Sequence, residues 1–76
     1  MSNVSGKIIV VTGFGKAERA DLEARLTAAG AVVTHSVSGK TQILVTGPKP
    51  GPEKVEKARK AGAEIVDEVT IRSRLG

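Results

Sequence analysis

The sequence predicts an α/β domain built on a parallel sheet, and three observations support this class. Two apolar, β-branched runs, residues 7–12 (KIIVVT) and 42–47 (QILVTG), are typical of strands buried on both faces. Segments with helical spacing of apolar and charged residues follow strands along the chain. The chain has 76 residues and no cysteine, so we expect one small domain, residues 1–76, without disulfides.

The first half of the chain contains three predicted strands and one helix. Residues 7–12 form the first, central strand. Apolar residues then recur at Leu22, Leu26 and Ala29, which predicts a helix over residues 17–29 that ends at Gly30. Residues 31–37 (AVVTHSV) favour a short strand, the SGKT segment a turn, and residues 42–47 a third strand that ends in glycine.

The second half adds two helices and the last strand. The PKPGP segment disfavours both helix and strand, and Pro52 suits the first position of a helix that ends at Gly62. Residues 63–67 (AEIVD) form a fourth strand. Asp67 can cap a final helix, whose apolar positions are Val69, Ile71 and Leu75.

This order of elements predicts a four-stranded parallel sheet with strand order 2-1-3-4, flanked by three helices. The connections reverse direction between strands one and three, and open sheets bind ligands at such a reversal. The loops TGFGK and TGPKPGPEK both leave the sheet there. We expect the core to comprise Ile8, Val10, Leu22, Leu26, Ile43, Val45, Val55, Ala58, Ile65 and Ile71.

Several functional classes do not fit the sequence. A dinucleotide-binding fingerprint would need glycine where Glu18 stands, and a P-loop would need glycine at Thr34. The single histidine, His35, has no evident catalytic partners, so we expect no catalytic residue, no metal and no cofactor. The longest apolar run is far too short to span a membrane, and residues 1–6 do not resemble a signal peptide. We therefore expect a soluble intracellular protein.

The charge balance favours a polyanionic partner. Twelve Lys and Arg against eight Asp and Glu give a formal net charge of +4, with an isoelectric point near 9.9. Phe14 is the only aromatic residue, so platforms that stack bases are excluded. Any binding of nucleic acid is expected to occur through phosphate.

Four residues around the strand reversal could form an anion site. The hydroxyl of Thr12, the amide of Gly13, the guanidinium of Arg19 and the ammonium of Lys54 are all donors, and two helix ends would add partial positive charge. In the alternative interpretation, Thr12 and Gly13 form only a tight strand exit, while Arg19 and Lys54 are solvated. Spacing alone leaves both interpretations open.

Four segments together resemble a known family over nearly the whole chain: GKIIVVTG, ERADLEARLTAAGA, VSGKTQILVTG and PGPEKVEKARKAGAEIVDE. They resemble the BRCT domain, most closely the subgroup in bacterial NAD-dependent DNA ligases and in the large subunit of the eukaryotic clamp loader. The resemblance implies a sheet of order 2-1-3-4, with helices one and three on one face and helix two on the other.

The resemblance also implies a phosphate pocket at Thr12, Gly13 and Lys54, to which the DNA-binding subgroup adds Arg19. The expected function is a noncatalytic, monomeric module of a DNA replication or repair protein, a DNA ligase above all, that recognises DNA phosphate, including a 5′-phosphorylated end. The alternative is a module that binds a protein partner or a phosphopeptide. We expect the module in the cytoplasm or nucleoid of a bacterium, or in the nucleus of a eukaryote.

Overall fold

The computed structural model describes residues 4–75 and has the α/β architecture that the sequence predicts. The elements are β1 (Ile8–Thr12), α1 (Lys16–Ala28), β2 (Val32–Thr34), β3 (Ile43–Thr46), α2 (Pro52–Lys60), β4 (Glu64–Asp67) and α3 (Glu68–Leu75). Their order matches the prediction. The main difference is β2, which has only three residues, because the chain bends away from the sheet after Thr34.

The sheet is parallel throughout and has the order β2-β1-β3-β4. Val10 of β1 lies opposite Thr34 of β2 on one side and Leu44 of β3 on the other. On the outer side of β3, Leu44 pairs with Ile65 of β4. The two continuous apolar runs therefore occupy the two inner strands, which are covered on both faces.

Two apolar layers cover the two faces of the sheet. On one face, Ile9 and Val11 of β1 pack in a single cluster with Leu22 and Leu26 of α1 and with Ile71 of α3. On the other face, a smaller cluster consists of Val10, Leu44 and Ala58, with Val55 of α2 half-buried against it. Helices α1 and α3 thus share one face and α2 covers the other, as the family resemblance implies.

The predicted core is wrong at Ile65, which is 40% exposed, whereas its neighbour Val66 is buried. Both belong to the outer strand β4. Ile65 pairs with Leu44 and so lies on the α2 face, whereas Val66 pairs with Val45 and faces the larger cluster. Only the larger cluster extends over the edge strand, so Val66 is covered and Ile65 is not.

The prediction also took only alternate residues of each inner strand. Ile8 is half-buried, while Ile9, Val11 and Leu44, which the prediction omitted, are buried. A strand covered on both faces buries successive residues, so alternation selects only half of its core positions.

The helix ends follow the predicted signals. Gly30 after α1 and Gly62 after α2 both have positive φ, 93° and 77°. The carboxylate of Asp67 accepts a hydrogen bond of 2.8 Å from the backbone N–H of Thr70, which confirms the predicted cap of α3. Within residues 4–75, no helix is long and apolar enough to cross a membrane.

Candidate phosphate-binding site

The loops that follow β1 and β3 are joined by backbone hydrogen bonds at the carboxyl edge of the sheet. The N–H of Gly47 donates to the carbonyl of Thr12 at 2.8 Å, and the N–H of Lys49 donates to the carbonyl of Gly13 at 3.2 Å. Thr12 and Thr46 lie opposite each other in the register. The strand reversal predicted from the sequence is therefore a pair of tightly packed loops.

Gly13 allows these loops to approach each other closely. Its φ is 86°, and a Cβ atom at this position would lie 2.7 Å from the backbone N of Pro50 and 2.8 Å from its Cα. A side chain would therefore overlap the segment that leads into α2. Because glycine has no side chain, the end of β1 can pack against the segment that precedes α2.

Thr12 lies close to the residue that precedes this helix. Thr12 is only 9% exposed. A Cβ on Gly51, the N-cap of α2, would lie 3.9 Å from the Thr12 hydroxyl oxygen. Within residues 4–75, this hydroxyl makes no hydrogen bond, so it can still donate to a bound oxygen.

Two helix N-termini follow these loops without a side-chain cap. Gly15 is the N-cap of α1 and Gly51 that of α2, and neither provides a side-chain hydrogen bond. Backbone N–H groups at such an end favour anions, because they carry partial positive charge without an intrahelical partner. Glu18 and Glu53 lie in the two first turns and oppose this effect.

Lys54 extends from the first turn of α2 towards β2. Its half-buried side chain donates from Nζ to the carbonyl oxygen of His35 at 3.3 Å. His35 follows β2, which lies on the other side of β1 from β3. The ammonium group is therefore held on the β1 side of α2, the side on which Thr12 and Gly13 lie.

The same histidine contacts α1. Its Nε2 lies 3.7 Å from a carboxylate oxygen of Glu23, and this oxygen is buried without a hydrogen-bond partner. His35 therefore connects the end of β2 to α1 through its ring and to α2 through its carbonyl. No local pattern in the sequence indicates this connection, because its partners are far apart along the chain.

Arg19 lies on the exposed first turn of α1, and its guanidinium has no hydrogen bond or ion pair within residues 4–75. The structure therefore brings Thr12, Gly13 and the α2 end that carries Lys54 together, but it does not hold Arg19 against them. Arg19 remains free to contact a ligand from the α1 side.

Sequence reasoning missed two further glycines of the site, Gly47 and Gly51. A Cβ on Gly47 would overlap the carbonyl of Gly13, and Gly51 leaves the space above the Thr12 hydroxyl open. A signal for Gly47 was present, because β1 and β3 end in the same Val-Thr-Gly triplet, at residues 11–13 and 45–47. Identical endings on adjacent parallel strands place the two glycines side by side at one edge of the sheet.

The assembled site offers several hydrogen-bond donors, and the carboxylates of Glu18 and Glu53 lie in the adjoining helix turns. It combines a free hydroxyl, backbone N–H groups and, from the first turn of α2, one ammonium group that donates to the carbonyl of His35. Hydroxyl, backbone N–H and ammonium donors are suited to binding an anion.

Comparison with known proteins agrees with the fold. The family model described as BRCA1 C Terminus (BRCT) domain matches residues 1–73. A DNA ligase from Syntrophobacter fumaroxidans is 48% identical over 73 residues, which cover 95% of this chain and 11% of that protein. A DNA ligase from Psychromonas ingrahamii is 46% identical over 67 residues, 87% of this chain and 10% of the relative.

A third DNA ligase, from Mesorhizobium japonicum, is 43% identical over 76 residues, 99% of this chain and 10% of the relative. The chain thus spans about a tenth of the length of the curated relatives it matches. The similarity therefore concerns one segment of these ligases.

Proposed function

The chain belongs to the BRCT domain family, and from this premise we propose that it is a noncatalytic module through which a DNA ligase binds DNA phosphate. The relatives matched along nearly all of this chain are called DNA ligases, which supports a role in DNA replication or repair. The chemistry of ligation would belong to segments of such a ligase outside this chain.

A single observation carries the proposal: the uncapped start of α2 lies over the Thr12 hydroxyl and against Gly13. Phosphate oxygens accept hydrogen bonds from hydroxyl, backbone N–H and ammonium groups, and all three kinds of donor occur there. Lys54 supplies the ammonium group from the same first turn. A phosphate bound between Thr12 and α2 would satisfy donors that have no partner in the free domain.

The preferred ligand is a terminal 5′-phosphate. A terminal phosphate carries more negative charge than an internal diester and exposes more oxygens, so a set of several donors binds it more tightly. Arg19, on the exposed turn of α1, would contact the same phosphate or the next one along the strand. With Phe14 as the only aromatic residue, base stacking would contribute little, and binding would not depend on sequence.

Residues 1–76 would act as one independent, monomeric domain. One sheet with helices on both faces supports this part of the proposal. In a bacterial ligase the module would work in the cytoplasm, at the nucleoid.

The test compares the affinity for a duplex with and without its 5′-phosphate, at one salt concentration. We expect the ratio of the two affinities to exceed one for the parent and to approach one in Thr12→Ala, Arg19→Ala and Lys54→Ala. Loss of a charge-assisted hydrogen bond costs about 1.5 to 3 kcal/mol. Arg72→Ala is the control, because Arg72 lies on α3 and pairs there with Glu68; its ratio should match the parent's.

Arg19→Ala is expected to have a larger effect than Lys54→Ala. Glu53 adjoins Lys54 and opposes an anion there, and Lys54 already donates to the carbonyl of His35. The reverse order would show that Lys54 is the main cation of the site.

A phosphoserine peptide, titrated in parallel, tests the alternative function. Tighter binding of this peptide than of the 5′-phosphorylated duplex would favour a protein-interaction module. A ratio near one in the parent would reject recognition of the DNA end.

A further inference from the structure

The arginines and the lysines of this domain differ in their pairing. Among residues 4–75, every arginine except Arg19 forms an ion pair with a carboxylate; the pairs are Arg25 with Asp21, Arg59 with Glu56, Arg72 with Glu68, and Arg74 with Glu64. No lysine in this part of the chain forms one. The unneutralised positive charge therefore resides mainly on lysines.

Three of these lysines lie on one flank of α2. Lys54, Lys57 and Lys60 follow each other at intervals of three residues, so each is rotated by only about 60° from the last, and the series covers about 9 Å along the helix axis. Arg59, which is paired with Glu56, lies on the opposite flank. The helix is therefore positive on one side and neutralised on the other.

The lysine-bearing side of α2 faces the loop between β2 and β3. Lys54 donates to the carbonyl of His35 at the start of this loop. Lys57 and Lys60 line a shallow depression of about 320 Å³ together with residues 37–39. Lys40, exposed in the same turn, follows directly. We call Lys40, Lys54, Lys57 and Lys60 the lysine flank.

Two carboxylates adjoin this surface. Glu53 lies four residues before Lys57 and Glu56 four residues before Lys60, and both glutamates line a depression with these two lysines. Glu56 also pairs with Arg59. Because Arg59 neutralises Glu56, four lysines minus Glu53 leave a surplus of three positive charges, close to the +4 of the whole chain.

We propose that the lysine flank binds the sugar-phosphate backbone of the duplex adjoining the 5′ end, so that DNA extends from the Thr12 site along α2. The proposal rests on the proposed function for the position of the end phosphate. Successive phosphates of one strand are about 3.4 Å apart along the duplex axis. The length of the lysine flank therefore corresponds to two or three successive phosphates. Its regularly spaced charges on a shallow surface suit contact with a sugar-phosphate backbone.

The test compares Lys57→Gln and Lys60→Gln with Arg59→Gln. Each change removes one positive charge from the same helix, but Arg59 lies on the neutralised side. Affinity for a duplex with a 5′-hydroxyl is measured over a series of salt concentrations, and the 5′-phosphate ratio is measured at one of them. Circular dichroism melts show whether each variant is folded. Lys57→Arg is a further control, because it keeps the positive charge at this position.

Each lysine variant should bind the 5′-hydroxyl duplex about twofold to fivefold more weakly. Its plot of log affinity against log salt should be flatter by roughly 0.9. The 5′-phosphate ratio should stay at the parent's value. Lys57→Arg should bind as the parent does, and Arg59→Gln, which acts on the lysines only by unpairing Glu56, should change affinity and slope less than either lysine variant.

Parent-like affinity and slope in both lysine variants would overturn the proposal. An equal loss in Arg59→Gln would also overturn it, because net charge alone would then explain binding. A fall in the 5′-phosphate ratio would assign the lysines to the end pocket instead. If the parent's 5′-phosphate ratio is near one while the lysine variants still lose affinity, recognition of the DNA end is rejected and backbone binding by the lysine flank is retained. If the parent binds neither duplex, both proposals are rejected.

Discussion

Replacement of Gly13 by alanine should destabilise the domain and disrupt the phosphate site at the same time. The φ of Gly13 is 86°, in the left-handed region that alanine rarely adopts. The new Cβ would lie 2.7 Å from the backbone N of Pro50 and 2.9 Å from the carbonyl carbon of Lys49. Because these are backbone atoms, no side-chain rotation can relieve the overlap, and the loop before α2 must move.

The expected cost has two parts. A non-glycine residue held in a sparsely populated backbone region costs about 1 to 3 kcal/mol, and overpacking at a close contact costs about 1 to 3 kcal/mol more. The sum of about 2 to 6 kcal/mol compares with a total stability of about 4 to 11 kcal/mol for a domain of this size. The variant should therefore lose about half of its free energy of unfolding.

Two other glycines separate the contributions. Gly62 also has positive φ, 77°, but a Cβ there would meet nothing within 4 Å, so Gly62→Ala tests backbone strain alone. Gly39 has no positive φ and is equally open, so Gly39→Ala tests the substitution without strain or overlap. We expect no loss for Gly39→Ala, an intermediate loss for Gly62→Ala and the largest loss for Gly13→Ala.

Urea unfolding followed by circular dichroism measures these differences, and the 5′-phosphate ratio is measured under folding conditions. Only Gly13→Ala should lower this ratio, because only Gly13 contacts the segment that leads into α2. Equal destabilisation in Gly13→Ala and Gly62→Ala would refute the reasoning, since the contact with Pro50 would then contribute nothing.

Two further predictions concern stability. Leu26 is fully buried between α1 and the sheet, so Leu26→Ala should lower the free energy of unfolding by about 2 to 5 kcal/mol in a urea titration. Val69 is 78% exposed, so the free energy of unfolding of Val69→Ala should stay within about 0.5 kcal/mol of the parent's. Hydrogen bonds from the hydroxyl and backbone N–H of Thr70 lower the pKa of Asp67. The cap therefore contributes its full stabilisation of the folded domain above about pH 4, and this contribution is lost as the pH falls through the lowered pKa. Asp67→Asn should accordingly lose less stability than the parent between about pH 5 and pH 2 in thermal melts, and equal losses would contradict this role of Asp67.

Much of the fold was predictable because its signals are local. The apolar runs of β1 and β3, the helical spacing of Leu22 and Leu26, and the glycines that end α1 and α2 all act within a few residues. The rules for parallel connections then leave few alternatives to the order 2-1-3-4. The candidate site was predictable in part for the same reason, since Thr12 and Gly13 end a central strand at the reversal.

The sequence by itself determined the order of elements, the strand reversal and the chemical types of the side chains that follow it. Only the tertiary structure decided which groups meet: the carbonyl of His35 at Lys54, Pro50 at Gly13, and the carboxylates that neutralise four of the five arginines. It also decided that Val66, and not Ile65, is buried. These contacts depend on how far each helix extends over the sheet and on which loops meet at its edge, and such distances arise only when segments far apart in the sequence pack together.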